Sequence, residues 1–253
     1  MMLEQFNLSG RVAIVTGCSA GLGQGMACSL AESGVDITGV DYVDFSQTRA
    51  RIERTGRKFV GIRVDLSSIA PIEGIIEKTV ETFGKLNILI NNAGITRRAD
   101  AMAVTENDWD DVINVNLKSV FFLCQAAAKQ FVKQGQGGKI INIASLLSFQ
   151  GGINVSAYTA SKSGVMGLTR LLANEWAQYN INVNAIAPGY MATPLNDPLV
   201  KDPKRSTEIL SRIPAGRWGT PDDLRGAVVF LASDASNYVH GYTVAVDGGW
   251  LAR

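Results

Sequence analysis

Histidine and cysteine are scarce in this chain of 253 residues, and their scarcity limits the chemistry open to it. There is one histidine, His240, and there are three cysteines, Cys18, Cys28 and Cys124, with no CxxC spacing. A lone histidine excludes a metal site with two histidine ligands and disfavours a Ser-His-Asp hydrolase. Scattered cysteines in odd number argue against a disulfide framework and a thiolate zinc site. We therefore expect no bound metal, cysteines that pack or remain free thiols, and a structural or rim-exposed histidine.

Long apolar runs and strong charge are also missing. No apolar run approaches the roughly 18 residues that are needed to span a bilayer. The formal net charge is +1, and the charges are scattered, so neither a nucleic-acid-binding stripe nor an acidic tail is indicated. Residues 1–7 lack the basic and apolar regions of a secretory signal. These absences predict a cytoplasmic protein with a small-molecule partner and no nucleic acid or membrane partner.

Short apolar runs rich in valine and isoleucine alternate with longer amphipathic stretches. Most of the runs lack polar alternation, which is typical of parallel strands buried between layers of helices. Alternating strands and helices predict a Rossmann-type, doubly wound α/β fold of about seven strands in one domain, 1–253. We expect strands at 12–16, 35–40, 59–64, 88–90, 139–144, 181–187 and 242–246, and helices at 22–33, 69–83, 106–134, 157–179 and 221–232.

One segment, 190–214, breaks this alternation. It is long and polar, it contains four prolines, and it follows a predicted strand. Long insertions at the end of a strand are often active-site lids. We therefore interpret this lid segment as a cover for a substrate.

A glycine-rich turn joins the first predicted strand to the first predicted helix, with the spacing Gly-x3-Gly-x-Gly. Glycines allow a tight turn and let a pyrophosphate approach the helix N-terminus, where free N–H groups favour anions. Three glycines alone are weak support, but their place in a βαβ unit favours a dinucleotide site over a simple tight turn. The candidate contacts are Gly17, Ser19, Ala20, Gly21, Leu22 and Gly23.

Asp41 lies at the end of the second predicted strand and is followed by Tyr42. A carboxylate at this position accepts hydrogen bonds from both ribose hydroxyls of an adenosine and repels a 2′-phosphate. The glycine turn contains no lysine or arginine. The sequence therefore predicts NAD rather than NADP, the alternative being a solvated aspartate.

Tyr158 and Lys162 are four residues apart, so they share one face of a helix. Ser145 follows the fifth predicted strand, whose carboxyl end faces a cofactor crevice in such folds. Hydride transfer to a ketone builds negative charge on its oxygen, which needs a proton donor and a hydrogen-bond donor. An ammonium about 4 Å from a tyrosine favours tyrosinate by roughly 4 kcal/mol at an effective dielectric near 20, about 3 pKa units. We expect Lys162 to lower the pKa of Tyr158, and Ser145 to bind the substrate oxygen.

Taken together, these motifs resemble the short-chain dehydrogenase/reductase superfamily over essentially the whole chain. The resemblance rests on their order: the glycine turn, Asp65-Leu66, Asn91-Asn92-Ala93-Gly94, Asn116, Ser145, Tyr158 with Lys162, Pro188-Gly189 and Thr193. It implies a nicotinamide-dependent oxidoreductase in which Tyr158 is the general acid and base. It also implies a homo-oligomer, usually a tetramer, in which the predicted helices 106–134 and 157–179 pair across an interface. The apolar, glycine-rich segment 244–252 is a further candidate for that interface.

The same resemblance implies roles for the remaining residues. Asp65 contacts the adenine with Leu66 beside it, and Asn92, Ala93 and Gly94 back the adenosine ribose. Asn116 kinks its helix and holds a water that relays protons from Lys162. The nicotinamide carboxamide is held by the group Pro188, Gly189, Met191 and Thr193. For Asn91, a structural role at the turn is at least as well supported.

Within the superfamily, the stretches 21–26, 137–166, 213–219 and 246–253 resemble bacterial dehydrogenases that act on keto sugar acids in pectin and uronate breakdown. Such a substrate carries a carboxylate, for which arginine is a suitable bidentate partner. Arg98, and after it Arg97, is the first candidate, because both follow the Asn-Ala-Gly turn at the end of a strand. Arg205 and Arg212 in the lid segment are rivals. Gln150 is a further candidate substrate contact, with Ser145 and Tyr158.

Two other functions remain open from the sequence. One is a different short-chain dehydrogenase, acting on another sugar acid or on a 3-oxoacyl thioester. The other is a non-catalytic NAD-binding regulator, which predicts loss of the tyrosine, lysine or serine, although all three are present.

Overall fold

Seven strands form one parallel sheet in the computed structural model, which describes residues 2–253. The strands are β1 (Val12–Thr16), β2 (Asp36–Asp41), β3 (Phe59–Arg63), β4 (Ile88–Asn91), β5 (Gly138–Ile143), β6 (Ile181–Pro188) and β7 (Thr243–Val246). Their order across the sheet is β3-β2-β1-β4-β5-β6-β7. The predicted fold is confirmed, and the predicted strands lie within a residue of the observed bounds.

The order of the strands reverses at β1, which pairs with β2 on one side and with β4 on the other. In open parallel sheets, the crevice outside the carboxyl ends of the strands at such a reversal is where ligands bind. Every residue of β1 and β6 is buried, as their unbroken apolar runs predict.

Helices cover both faces of the sheet. They are α1 (Gly21–Glu32), α2 (Ser46–Glu53), α3 (Ile72–Phe83), α4 (Glu106–Ile113), α5 (Ser119–Gln134), α6 (Ser156–Trp176), α7 (Asp197–Val200), α8 (Pro203–Leu210) and α9 (Arg225–Ala232). Core residues from α3, α5 and α6 pack on one face, and those from α1, α2 and α9 on the other. Strand residues alternate between the two cores: Ile14 packs with the first and Val15 with the second, as the period of two in a strand requires.

Two helical regions differ from the sequence expectation. Helix α2 was not predicted, because only Thr48 and Ile52 of its eight residues are buried and its apolar pattern is weak. The predicted helix 106–134 is divided by a π-helical turn, Asn114–Lys118, between α4 and α5. Such turns are frequent at functional sites, and this one contains Asn116.

The lid segment is largely helical rather than irregular. It contains a short 3₁₀ turn, Pro194–Asn196, followed by α7 and α8. Three of its four prolines, Pro194, Pro198 and Pro203, stand in the first turn of these elements, where a missing N–H costs nothing. Ile209 and Ile213 are buried in a small apolar cluster with Leu146 and Trp250. These three prolines therefore mark helix starts, and the segment is packed against the body of the protein.

The amino ends of the strands carry a second, polar cavity of about 430 Å³. Lys139 on β5 is buried there, and its Nζ donates to Asn182 Oδ1 at 2.9 Å and to Asn237 Oδ1 at 2.7 Å. Burial lowers the pKa of Lys139 to about 8. His240 is exposed beside this cavity, with Nε2 3.1 Å from Asn182 Nδ2. The histidine thus lies at the opposite end of the sheet from the ligand crevice, as expected for a structural residue.

The cysteines behave as the sequence predicts. Cys18, Cys28 and Cys124 are all buried free thiols, and burial raises the pKa of Cys18 and of Cys124 to about 12. They are therefore packing residues. None of the helices within residues 2–253 combines the length and apolar character that a bilayer crossing requires.

Candidate active site

A cleft of about 880 Å³ opens at the carboxyl ends of the strands. It brings together nearly all the residues singled out in the sequence. The predicted residues that line it are Gly17, Ser19, Ala20, Gly21, Leu22, Asp41, Tyr42, Asp65, Leu66, Asn92, Ala93, Gly94, Arg97, Arg98, Ser145, Gln150, Tyr158, Lys162, Pro188, Gly189, Met191 and Thr193. Gly23 and Asn116 are not among the residues that line it.

The glycine turn needs glycine for two physical reasons. Gly17 and Gly21 have φ of +64° and +56°, in the left-handed region that side chains disfavour. At Gly23 a Cβ would overlap the carbonyl oxygen of Gly17, so the side-chain-free position lets helix α1 begin against the turn. Gly23 therefore shapes the cradle from behind.

The Asn-Ala-Gly segment after β4 supports the glycine turn. Asn92 Nδ2 donates to the carbonyl oxygens of Thr16, at 2.9 Å, and Gly17, at 3.0 Å. The backbone N–H groups of Asn92 and Ala93 both donate to Thr16 Oγ1, at 3.0 Å. The result is a rigid backbone cradle at the N-terminus of α1, which has the shape and polarity that a pyrophosphate requires.

Asp41 lies at one end of the cleft, beside this cradle. Its carboxylate is 8% exposed and accepts hydrogen bonds from the backbone N–H of Ser19, at 3.0 Å, and of Tyr42, at 2.8 Å. Asp65, after β3, lines the same end of the cleft. Arg63 pairs in register with Asp41, but its Nε donates to the carbonyl of Tyr42 and it does not line the cleft. Among the described residues that line this end of the cleft there are two carboxylates, Asp41 and Asp65, and no cation.

Tyr158 and Lys162 face the other half of the cleft from the first two turns of α6. Lys162 is 4% exposed; its Nζ donates to the carbonyl oxygen of Ile143 at 2.6 Å and lies 5.7 Å from the centroid of the Tyr158 ring. Ser148 Oγ donates to the carbonyl oxygen of Lys162 at 2.7 Å. These bonds tie α6 to the end of β5, where Ser145 caps a short 3₁₀ turn, Leu146–Ser148.

The electrostatics of the pair differ from the sequence expectation. Burial raises the pKa of Tyr158, whereas a hydrogen bond with Ser145 and the charge of Arg98 lower it. Burial also lowers the pKa of Lys162 to about 8. The expectation that Lys162 holds the pKa of Tyr158 below its usual value is wrong for this structure, because desolvation of the phenolate outweighs the nearby charges.

Asn116, in the π-helical turn, is fully buried and connects two walls of the site. Its Oδ1 accepts from the N–H of Ile95 at 2.8 Å, and its Nδ2 donates to the carbonyl of Ile95 at 2.9 Å. Nδ2 also lies 3.3 Å from Ser161 Oγ, on α6 between the tyrosine and the lysine. The expected interruption of the helix at Asn116 is therefore present.

Asn91 belongs to the interior rather than to the cleft. Its Nδ2 donates to Asn142 Oδ1 at 2.9 Å and to Cys124 Sγ at 3.2 Å. These contacts join neighbouring strands β4 and β5 below the site. The structural interpretation of Asn91 fits this position.

The end of β6 and the residues after it form a further wall of the cleft. Gly189 donates its N–H to the carbonyl of Val246 at 2.9 Å, and a Cβ on Gly189 would approach Asp247 Cα to 2.6 Å. Met191 and Thr193 follow, both largely buried. A backbone edge and a hydroxyl thus line the position that the family pattern assigns to the nicotinamide.

Four arginines line the cleft. Two of them form ion pairs with carboxylates, and two do not. Arg97 is paired with Asp111 at 3.1 Å and with Asp108 at 3.8 Å, and Arg205 with Glu208 at 2.7 Å. Arg98 and Arg212 have no carboxylate partner among residues 2–253.

Trp250 is a lining residue that the sequence did not indicate as part of the site. It was expected near an oligomer interface, but it is 4% exposed within its own chain. Its Nε1 donates to Gln150 Oε1 at 3.2 Å. Because Gln150 and Trp250 are 100 residues apart, no local sequence pattern predicts this contact. Among residues 2–253, no group of three or more potential metal ligands is clustered.

Known proteins are similar to this chain in sequence and in architecture. A family profile described as Enoyl-(Acyl carrier protein) reductase matches residues 17–251. Two relatives named 2-dehydro-3-deoxy-D-gluconate 5-dehydrogenase, from Dickeya dadantii and Escherichia coli, are 63% and 62% identical over 253 residues, covering 100% of both chains. A candidate 2-deoxy-D-gluconate 3-dehydrogenase from Agrobacterium tumefaciens, with bound NADP, is 49% identical with a TM-score of 0.93, covering 98% of this chain and 99% of that one.

The chain belongs to the short-chain dehydrogenase/reductase superfamily, whose members are oxidoreductases that use a nicotinamide cofactor. Its similarity to sugar-acid dehydrogenases, expected from four stretches of the sequence, is confirmed along the full length of the chain.

Proposed function

We propose that this chain is an NAD-dependent dehydrogenase that interconverts 2-dehydro-3-deoxy-D-gluconate and 3-deoxy-D-glycero-2,5-hexodiulosonate. The observation that carries the proposal is 63% identity, over the full length of both chains, to a relative named for the first compound and for oxidation at C5. In this reaction the C5 hydroxyl and a C5 ketone interconvert, while the C1 carboxylate and the C2 ketone are unchanged.

Tyr158 is the general acid and base of the proposed reaction. In reduction, its hydroxyl donates a proton to the C5 oxygen as a hydride reaches C5; in oxidation, it removes that proton. Burial raises the pKa of Tyr158, which keeps the hydroxyl protonated at neutral pH and suits it to donation. A bound nicotinamide supplies or accepts the hydride.

Ser145, Lys162 and Asn116 support the tyrosine in different ways. Ser145 Oγ hydrogen-bonds the reacting oxygen without titrating. The Lys162 ammonium lies over the phenol ring, where it stabilises the phenolate that forms when the proton leaves. Asn116 fixes the spacing between the Ile95 segment and α6, and the family resemblance assigns it the water through which Lys162 exchanges protons.

The cleft's glycine turn and its support fit a dinucleotide, and Asp41 supports NAD over NADP. Gly17, Ser19, Ala20, Gly21 and Leu22 surround the pyrophosphate cradle. Asp41, beside Tyr42, accepts hydrogen bonds from the ribose hydroxyls. At this end of the cleft, a 2′-phosphate would meet two carboxylates and no lining cation. A phosphate with about −1.5 to −2 charges is disfavoured there.

The remaining cofactor contacts follow the family pattern on residues that line the cleft. Asp65 and Leu66 hold the adenine, and Asn92, Ala93 and Gly94 back the ribose. The carboxamide of the nicotinamide is held by Pro188, Gly189, Met191 and Thr193.

Arg98 supports binding of the substrate carboxylate. It lines the cleft without an ion pair, and it is close enough for its charge to act on Tyr158. Arg97 is a weaker candidate, because its guanidinium is engaged by Asp108 and Asp111.

The proposed assembly is a homo-oligomer, most simply a tetramer with pairwise two-fold interfaces. Large apolar side chains are exposed on the two helical regions expected at an interface: Trp109 on α4, Val132 on α5 and Leu171 on α6. Light scattering that gives the mass of a monomer at micromolar concentration would contradict this assembly.

A substrate panel tests the proposed function. Initial rates of NADH oxidation are measured with 3-deoxy-D-glycero-2,5-hexodiulosonate, with other keto sugar acids and with an acetoacetyl thioester. We expect the diketo acid to have the highest kcat/KM. A thioester that is the better substrate would instead indicate an acyl reductase of the same superfamily. Cofactor binding without turnover of any substrate would indicate a non-catalytic nicotinamide-binding protein.

A further inference from the structure

Arg212 is the second of the two cleft arginines that have no ion pair. Arg205, on the same lid segment, is engaged by Glu208 at 2.7 Å, so its guanidinium would have to leave a carboxylate to bind a ligand. Arg212 faces no such cost, since no carboxylate contacts it among residues 2–253. An exposed, unpaired guanidinium in a cleft is a ready partner for an anion.

Trp250 holds the guanidinium of Arg212 in a defined position. The Cζ atom of Arg212 lies 4.1 Å from the centroid of the indole ring. Contact through the face of the guanidinium leaves its N–H groups at the edge available for a carboxylate. Lysine would not match this arrangement, because its ammonium has no planar face and no two-pronged edge.

The indole itself is fixed to the catalytic part of the cleft. Trp250 is 4% exposed, its Nε1 donates to Gln150 Oε1 at 3.2 Å, and its ring lies 4.7 Å from that of Tyr190. Gln150 follows Ser145 by five residues, on the same segment after β5. One ring contact, between Arg212 and Trp250, and one hydrogen bond, between Trp250 and Gln150, therefore connect Arg212 to the segment that contains Ser145.

We infer that Arg212, stacked on Trp250, binds the C1 carboxylate of the substrate and sets the preference of the site for sugar acids over neutral ketones. The inference rests on the proposed function, which places the reacting carbon at C5. Four carbon–carbon bonds of about 1.5 Å separate C5 from C1, so the carboxylate lies up to about 5 Å from the reacting carbon. At that separation the carboxylate reaches beyond Ser145 and Tyr158, and the Trp250 side of the cleft carries one of the two unpaired cations.

Arg98 and Arg212 then have separable roles. The charge of Arg98 acts on Tyr158, so its loss affects both carboxylate binding and the titration of the tyrosine. Arg212 is not among the groups that shift the pKa of Tyr158. Its loss is expected to change carboxylate binding alone. Gln150 is assigned as a positioning residue that orients Trp250, rather than as a direct contact of the reacting oxygen.

The test compares the keto acid with its neutral primary amide in wild-type enzyme and in the variants Arg212→Gln and Arg212→Lys. Arg212→Gln should raise KM for the acid by about tenfold to a hundredfold, leave kcat nearly unchanged, and move KM for the amide by less than about twofold. Arg212→Lys should give a smaller rise. The pH dependence of kcat should be that of the wild type. Arg205→Gln, which removes an ion-paired arginine from the same segment, is the matched control and should leave KM for the acid nearly unchanged.

Two further results complete the test. Trp250→Phe, which keeps a ring under Arg212 but removes the bond to Gln150, should raise KM for the acid less than Arg212→Gln does; thermal unfolding identifies any variant that fails to fold. Equal losses on acid and amide, or no loss on either, would overturn the assignment of Arg212. A wild-type enzyme that turns over neither compound would overturn the proposed function itself, which is a different outcome.

Discussion

The ammonium of Lys162 donates a 2.6 Å hydrogen bond to the carbonyl oxygen of Ile143, the last residue of β5. The bond brings the lysine of α6 to the strand that leads to Ser145, so the positions of Ser145, Tyr158 and Lys162, the proposed catalytic groups, are set by one helix and one strand end. The same contact buries the lysine, and burial lowers its pKa to about 8. The packing of Lys162 against the end of β5 therefore sets both its position and its lowered pKa.

The pH dependence of carbonyl reduction should reflect this burial. Below about pH 8 Lys162 is charged and Tyr158, whose pKa is raised, is protonated. Both are the forms that reduction requires. As pH rises through about 8, Lys162 loses its proton, so kcat/KM for reduction should fall. The measurement is a profile of kcat/KM across the neutral and alkaline range, in which rates that rise or stay level above this pKa would be contrary to the account.

Lys162→Arg provides the control for that profile. Arginine keeps its charge throughout the range. If the variant folds and is active, its decline should move to a higher pH than in the wild type. A decline at the same pH would assign the titration to a different group.

Tyr158→Phe should reduce turnover by about 10²–10⁴-fold, because a positioned proton donor contributes that much. NADH binding, followed by fluorescence, should be nearly unchanged, since the ring remains and only the hydroxyl is lost. Tyr179→Phe, in the turn that follows the same helix, removes an exposed phenol hydroxyl outside the site and serves as the control. If the Tyr158 variant retains more than about a tenth of the wild-type rate, the role of the tyrosine is wrong.

The strands and the order of motifs were predictable because both depend on local pattern. The run of apolar residues in β1 and the glycines after it report burial and backbone conformation directly. The partners of Arg97 and Arg98 were not predictable, because adjacent arginines differ only in which side chains reach them: Asp108 and Asp111 engage the first alone. The balance of burial against charge at Tyr158 likewise depends on the packed structure.

The place of Trp250 in the site was also not predictable from the sequence, because its contacts are even more distant along the chain. Its contacts with Gln150 and Arg212 join distant segments, and the sequence around it indicated an interface and a family resemblance but no contact with the site. Helix α2 was missed for the opposite reason: with two buried residues in eight, its pattern carries little signal.

Replacing Asp41 tests the choice of cofactor. Asp41→Asn removes a charge worth about 1–4 kcal/mol against a neighbouring charge at 4 Å, between bulk water and an effective dielectric of 20. The ratio of kcat/KM for NAD to that for NADP should therefore fall by about fivefold or more. Asp36→Asn, at the opposite end of β2, should leave the ratio unchanged. A wild-type preference for NADP would contradict the proposed cofactor directly.

Arg98→Ala tests the cleft's other unpaired cation. Loss of a hydrogen bond to a charged group costs about 1.5–3 kcal/mol, so KM for the keto acid should rise about tenfold to a hundredfold. Because the charge of Arg98 lowers the pKa of Tyr158, the oxidation profile should also move to higher pH. Arg97→Ala should have a smaller effect on KM, since Arg97 is already paired. Equal losses with charged and neutral substrates would mean that Arg98 only supports its loop.

The central claim is oxidation at C5, and isotope transfer tests it most directly. 2-Dehydro-3-deoxy-D-gluconate carrying deuterium at C5 is incubated with the enzyme and NAD, and the products are examined by mass spectrometry and NMR. The account predicts singly deuterated NADH together with unlabelled 3-deoxy-D-glycero-2,5-hexodiulosonate, and transfer slowed by about 10²–10⁴-fold in the Tyr158→Phe variant. Unlabelled NADH with deuterium retained in the oxidised sugar acid would show that another carbon reacts, and it would contradict the proposed function.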